Sequence, residues 1–386
     1  MRILMLTQNC AGIGGSFMRA WSLARALARY GDQVTLLASR TRAGIRTLRT
    51  TRDQVMVSQS ADIFPRRWRH AGLSPLDTLA RVLYVKRMAQ DVVYGFEHRP
   101  AVALPAVWRG SGCFVSDWAD LWGSPGWACE VQGCFRNALG RWDGRQEKKF
   151  RSRADGVTAI SRYLARQAVG LGIPADRLLI VPPGANSDRI MPLPMAEMRG
   201  KFALPLDVPL VVYIGFATHD AFFLAQALAE MVKMEPALML AYAGRRLEFF
   251  ERFAAARGLA AHVRYLGFLP YDSLAEALAC GDVMLLPMSQ SPANQARFPN
   301  RFGDYLSAGK PIAMTAVGDL ADIIESENIG SVAAADPRSF AASVLELLGQ
   351  PAMRLEMGQR ARYLAETRFS WHAIAGPLRD FFNRLA

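Results

Sequence analysis

Two stretches carry the residues best suited to chemistry. In residues 10–20 (CAGIGGSFMRA), Gly12, Gly14 and Gly15 lead into Ser16 and a helical pattern. Glycines at such a turn let backbone approach an oxygen-rich ligand at the positive end of the following helix. A tight strand-to-helix turn with no ligand uses the same residues. A dinucleotide fingerprint would need its third glycine where Phe17 stands and an acid closing the second strand where Arg40 stands, which argues against NAD. In residues 265–324, an apolar strand closing at Leu285, Leu286 and Pro287 runs through a polar loop into a helix that begins near Asn300. Asp304, in the first turn or two of that helix, can accept two hydrogen bonds from a ribose diol. The amides of Arg301, Phe302 and Gly303 can meet a phosphate, with Arg301 adding charge. A carboxylate in that place is also ordinary compensation of the helix dipole.

These stretches depend on the elements around them. Strand-length apolar runs alternate with amphipathic helical segments along the whole chain. The front half reads as strands at residues 2–7, 33–38, 91–96, 112–116, 156–160 and 178–181, with a basic irregular stretch after the second. The back half restarts with strands at 210–215, 238–243, 263–266, 282–286 and 311–315. Such alternation predicts an α/β chain of two Rossmann-like domains, each a parallel sheet covered by helices. The expected division is 1–185 for the first domain, 186–206 for a Pro-rich linker, 207–368 for the second, and 369–386 for a final helix that could cross back to the first. In open parallel sheets ligands bind beyond the carboxyl ends of the strands, so the loops there matter most.

Composition narrows the class. The chain has 386 residues, 51% hydrophobic and 21% charged, enough to bury sizeable cores and inconsistent with general disorder. Its five cysteines are scattered and odd in number, which points to reduced thiols rather than a disulfide framework, and no spacing matches a metal site. No apolar run reaches the roughly 18 to 20 residues of a bilayer span. A cytoplasmic protein is expected. Charge is uneven: residues 1–190 hold 28 Lys and Arg against 14 Asp and Glu, whereas residues 191–386 hold 18 against 20. The basic clusters, at Arg42 to Arg52 and Arg66 to Arg69, the latter beside Phe64 and Trp68, suit an anionic membrane surface. Nucleic acid is the weaker partner, because no zinc finger or RNP-type strand accompanies them.

Taken together, the opening MRILMLTQNCAGIGGSFMRAWSLARALARYGDQVTLLA, the crossing ADGVTAISRYLARQAVGLGIPADRLLIVPPGAN, and the pieces VRYLGFLPYDSLAEALACGDVMLLP and FGDYLSAGKPIAMTAVGDLADII resemble the retaining, nucleotide-sugar-dependent group 1 (family 4-like) glycosyltransferases of GT-B fold. The resemblance implies an acceptor-side first domain, with Gly14, Gly15 and Ser16 as its loop, and a donor-side second domain. It implies a nucleotide-sugar donor, a carbohydrate or lipid-linked acceptor, and neither cofactor nor required metal. Three departures stand out. Asp304 takes the place of the family's second Glu, and the first falls on Ala296, with Asn294 or Gln295 as replacement. The family's Arg and Lys after the strand ending at Gly215 are missing, leaving His219 there and Arg245, Arg297 or Arg301 to meet the diphosphate. The family's reaction-centre His near residue 116 is replaced by Asp117 and Asp120, which could hold sugar hydroxyls as catalytic residues or merely cap a loop. A non-catalytic nucleotide-sugar-binding subunit and a sugar-nucleotide epimerase are the alternatives.

Overall fold

The computed structural model describes residues 1–123, 126, 134–215 and 218–386. The chain divides into two compact units, Met1–Pro183 with Ala296–Phe298 and Trp371–Ala386, and Gly184–Gln295 with Pro299–Ser370.

The first unit is an eight-stranded sheet of β1 (Arg2–Cys10), β2 (Gln33–Ser39), β3 (Leu48–Arg52), β4 (Val55–Gln59), β5 (Val92–Phe96), β6 (Cys113–Trp118), β7 (Gly156–Ala159) and β8 (Leu178–Ile180). Its order is β3-β4-β2-β1-β5-β6-β7-β8. β1 is buried from Ile3 to its end, as a central strand covered on both faces must be. The sheet is parallel except at one edge, where β3 pairs antiparallel with β4. That edge corrects the expectation of an irregular stretch and an all-parallel sheet. Asp53 and Gln54, at φ of 48° and 64°, make the two-residue hairpin turn. β3 itself, LRTTR, is exposed along its length and has no apolar face to reveal it.

Helix Gly15–Arg29 follows the glycine loop and buries Ala20, Leu23, Ala24 and Leu27 against the sheet. Helix Trp371–Leu385 joins the same core through Ile374, Ala375, Leu378, Phe381 and Phe382. The Phe382 ring meets Tyr94 of β5 edge-on at 5.1 Å between centroids.

The second unit is fully parallel: β9 (Leu210–Gly215), β10 (Met239–Gly244), β11 (Val263–Gly267), β12 (Val283–Leu286), β13 (Ile312–Thr315) and β14 (Gly330–Ala333), in the order β11-β10-β9-β12-β13-β14. Residues 186–206 are packed into this unit rather than spanning it as a linker. Their helix Met195–Lys201 carries Arg199, only 3% exposed. Its guanidinium donates to the Cys280 carbonyl at 2.9 Å and to Asp282 Oδ2 at 2.8 Å. Five polar partners for one guanidinium, the Pro205, Leu206 and Val208 carbonyls among them, hold the segment down. No helix among the described residues is long and apolar enough to cross a membrane.

Candidate functional site

In the second unit, polar residues gather at the carboxyl ends of β9 and β12. Gly215 ends β9, and Arg301 opens the short helix Arg301–Ser307. Arg301 Nη1 donates to the Ile214 carbonyl at 2.7 Å, and its guanidinium lies 4.8 Å from the Tyr213 ring centroid. A Cβ at position 215 would stand 2.5 Å from that nitrogen, so the close approach requires glycine. Arg301 Nη2 also lies 3.5 Å from Asp220 Oδ2. Asp220, fully buried in the first turn of helix Thr218–Met234, accepts from Asn294 Nδ2 at 3.2 Å. Asn294 donates further to the Ser289 carbonyl at 2.7 Å. Sequence reasoning brought Arg301 and Asn294 to this site but missed Asp220, the carboxylate that ties them together.

Asp304 lies three residues further along the same helix. Tyr271 donates to its Oδ1 at 2.8 Å, and Asn186 Nδ2 donates to the Tyr271 oxygen at 2.6 Å. The Arg189 guanidinium stacks 4.9 Å from the Tyr271 ring centroid. Burial pushes the Asp304 carboxyl up to about 6, against the hydrogen bond from Tyr271, which favours the ionised form. Asn186 and Tyr271 escaped notice because only tertiary packing brings residues 186, 271 and 304 to one point.

Other expectations fare differently. Phe302 is a core residue, edge-on to Phe369 at 5.5 Å. The amides of Phe302 and Gly303 are taken by the Pro299 and Asn300 carbonyls, each at 3.0 Å, and so do not await a phosphate. Gly303 serves packing, since a Cβ there would stand 2.6 Å from the Gly184 carbonyl oxygen. Arg245 is exposed just past β10. Gln295 is half-buried in the second unit, whereas Ala296 and Arg297 are buried in the segment grouped with the first. The side chain of His219 lies outside the described residues.

In the first unit, Gly14 caps helix Gly15–Arg29 at φ 93°, where a Cβ would stand 2.4 Å from Asn9 Oδ1. Ser16 Oγ donates to Glu97, at the carboxyl end of β5. Asp117 is a different matter. It is fully buried in β6, and Arg19 donates to both its oxygens at 2.8 and 2.9 Å, while Thr158 and Tyr94 donate to Oδ1 at 2.6 and 2.9 Å. Burial alone would raise its carboxyl, but Arg19 and the hydroxyls hold it below the usual carboxylate range. It is a structural anchor that a sugar cannot reach. Asp120, just past β6, is half-buried and lies close enough to Glu97 to raise that group's pKa. Among the described residues no three His, Cys, Asp or Glu side chains cluster as metal ligands.

Two α/β units, each with polar loops at the carboxyl ends of its parallel strands, define the two-Rossmann-domain architecture of the GT-B class. The sucrose-phosphate synthase of Thermosynechococcus elongatus shares this fold with TM-score 0.78 at 19% identity, over 99% of this chain and 98% of that one. Residues 14–184 match the model of the glycosyl transferase 4-like domain, and residues 208–350 that of glycosyl transferases group 1. The chain belongs to the group 1, family 4-like glycosyltransferases. It is similar to the D-inositol 3-phosphate glycosyltransferase of Thermobispora bispora, 27% identical over 60% of this chain and 56% of that protein. It is also similar to the GDP-mannose-dependent alpha-(1-6)-phosphatidylinositol monomannoside mannosyltransferase of Mycolicibacterium smegmatis, 26% identical over 60% of this chain and 62% of that one. The matched part thus spans less than two thirds of either relative.

The anchoring role of Asp117 has a measurable consequence. Arg19→Met leaves a buried carboxylate without its counter-charge and is expected to cost about 3 to 5 kcal/mol in urea unfolding. Arg19→Met with Asp117→Leu removes both charges and recovers most of that loss. Because the Asp117 pKa is depressed in the fold, its contribution is present above the ordinary carboxylate pKa and fades as pH falls through the folded value. The double variant should lack that part of the acid dependence.

Proposed function

We propose that this protein transfers a sugar from a nucleoside-diphosphate sugar to an acceptor hydroxyl, with retention of anomeric configuration, and that the acceptor is presented at an anionic lipid surface. The observation that carries the donor reading is one turn of helix that sets a guanidinium, Arg301, and a buried carboxylate, Asp304, at the carboxyl edge of a parallel sheet. Asp304 would accept from the ribose diol and Arg301 would offset diphosphate charge. The GDP-mannose dependence of the mycobacterial relative supports a nucleoside diphosphate donor. In the reaction the bond from the anomeric carbon to the phosphate oxygen breaks, the acceptor oxygen bonds the same face, and the acceptor proton passes to the departing phosphate. The protein's share is positioning and electrostatic stabilisation of the leaving diphosphate, without a covalent nucleophile or a required metal.

One observation favours a second reading, a nucleotide-sugar-binding subunit without turnover. Asp220 lies against Arg301 and balances its charge, where a diphosphate would profit from an uncompensated cation. Product formation in an acceptor screen separates the two, and the anomeric configuration of that product reads out retention.

Two measurements test the binding reading. In calorimetry with UDP and GDP, Asp304→Asn should weaken binding by about 1 to 3 kcal/mol, the worth of charge-assisted hydrogen bonds. The carboxyl must lose a proton to accept from a diol, so wild-type affinity should fall about tenfold from pH 7 to pH 5, through the Asp304 value of about 6. The variant should lack that dependence. Equal affinity of Asp304→Asn and wild type would remove Asp304 from the site.

The lipid surface rests on helix Pro75–Arg87, whose inner face holds two charged groups beside Val82 and Val85 while three leucines face outward. Asp77 and Arg81 are buried, whereas Leu76, Leu79 and Leu83 are 40%, 58% and 44% exposed. Nearby in sequence, Trp68 stacks on Phe64 at 5.7 Å and is 42% exposed, with Ile63 at 62%. Arg66 and Arg67 are exposed, but Arg69 is buried and reaches the Thr41 carbonyl, so it leaves the lipid-facing set. Leucines and aromatics among arginines suit the headgroup boundary of an anionic bilayer. The protein should co-sediment with phosphatidylglycerol vesicles and not with phosphatidylcholine vesicles, release at high salt, and bind more weakly as Leu79→Ser/Leu83→Ser. Equal recovery on both vesicle types would sink this part of the reading.

A further inference from the structure

Three side chains with no role so far lie near the carboxyl ends of β1 and β5, the edge at which open parallel sheets take ligands. The two strands run in register with Thr7 opposite Phe96, which makes Gln8 and Glu97 the next residues outward on neighbouring strands. Gln8 is 8% exposed, yet its Oε1 has no hydrogen-bond partner among the described residues. A buried orphan of this kind calls for a partner that the protein itself does not supply. Gly72 packs so tightly on Gln8 that a Cβ there would stand 2.7 Å from the Gln8 Cβ, which seats the turn bearing His70 against the strand end.

The His70 ring is oriented. Its Nδ1 accepts from the Cys10 amide at 3.3 Å, and its Cε1 would stand 3.3 Å from a Cβ on Gly14. A backbone N–H can only donate, so the neutral ring carries its proton on Nε2. Burial, aided by Arg66, holds the imidazole pKa below its ordinary value and keeps that form at neutral pH. On the other side of the glycine loop, Glu97 sits at φ 76°, a left-handed conformation that is rare for a non-glycine residue and concentrates at functional sites. It is 4% exposed and accepts from Ser16. Burial raises its carboxyl to about 7; the Ser16 hydrogen bond from helix Gly15–Arg29 opposes this, Asp120 beyond β6 adds to it, and Arg151 of helix Cys134–Arg151 and Arg99 of its own turn oppose it.

We infer that Gln8, His70 and Glu97 form the acceptor subsite and hold vicinal hydroxyls of an uncharged sugar or polyol. The inference rests on the transferase reading above and names the acceptor class for it. A fixed N–H donor together with an amide oxygen and a carboxylate complements hydroxyls, each of which both donates and accepts. A phosphate group in place of those hydroxyls, which offers only acceptors at neutral pH, would set its charge against Glu97 and leave Gln8 Oε1 unmet.

The test is direct binding, by saturation-transfer NMR and calorimetry, of methyl α-D-mannopyranoside, methyl α-D-glucopyranoside, myo-inositol and myo-inositol 1-phosphate to the full chain in the presence of UDP or GDP. At least one uncharged compound should bind, more tightly than the phosphate. Glu97→Gln and His70→Phe should each weaken it at least tenfold, with nucleotide affinity unchanged. Wild-type affinity should rise severalfold from pH 6 to pH 8 as Glu97 ionises, and Glu97→Gln should flatten that rise. The inference is overturned if both variants bind the sugar as wild type does, if the phosphate ester is preferred, or if no uncharged compound binds while nucleotide does. Sugar binding without any nucleotide binding would instead overturn the donor reading and leave this one standing.

Discussion

The buried pair of Arg19 and Asp117 is the interaction on which the first unit depends. Arg19 comes from the first helix and Asp117 from β6, and the guanidinium also donates to the Val181 carbonyl just beyond β8 at 2.8 Å. Tyr94 of β5 and Thr158 of β7 complete the carboxylate's shell. One charge pair therefore joins the first helix to four strands, and Ser16, Glu97 and Asp120 lie close in sequence to the groups it ties together. Two charges out of water are costly unless geometry and extra hydrogen bonds repay the loss, and here both are present. The anchor fixes where the helix begins, and hence where the glycine loop presents its backbone.

Arg301 holds a comparable place in the second unit, with a different balance. Its bonds to the Ile214 carbonyl, the Tyr213 face and Asp220 fasten a seven-residue helix to the end of β9, and that helix carries Asp304. Asp220 is buried against the Arg301 guanidinium. The charge of Arg301 is therefore balanced by a buried acid before any ligand arrives. Discrimination in such a site comes from shape and from directional hydrogen bonds more than from attraction between net charges.

Much of the architecture was legible in the residues. The apolar runs of β1, β5 and β9 have the continuous hydrophobicity of strands covered on both faces, and Gly14, Gly215 and Asp304 were visible as turn and helix-start residues. β3 was invisible because an exposed edge strand of Arg and Thr has no pattern to read. Asp117 looked like a loop acid because sequence cannot tell a strand's last polar residue from the first residue of the loop beyond it. Only Arg19, 98 positions away, makes it a core group. Glu97, Tyr271 and Asp220 went unremarked for a related reason: their significance comes from register and packing between distant segments, to which periodicity is blind. Asp304 carried two readings in the residues, ribose contact and dipole compensation, and the family resemblance favoured the first.

Helix Trp371–Leu385 has a consequence for how the molecule is made. It supplies Leu378, Phe381 and Phe382 to a core whose other members, such as Ile3 and Leu23, are synthesised more than 300 residues earlier. That core stays open along one face while residues 184–370, nearly all belonging to the other unit, are still being synthesised. The second unit can close as its own residues emerge, but the first waits with an apolar groove exposed. The order of completion is thus the reverse of the order of appearance, and helix Trp371–Leu385 is the segment a chaperone would have to stand in for.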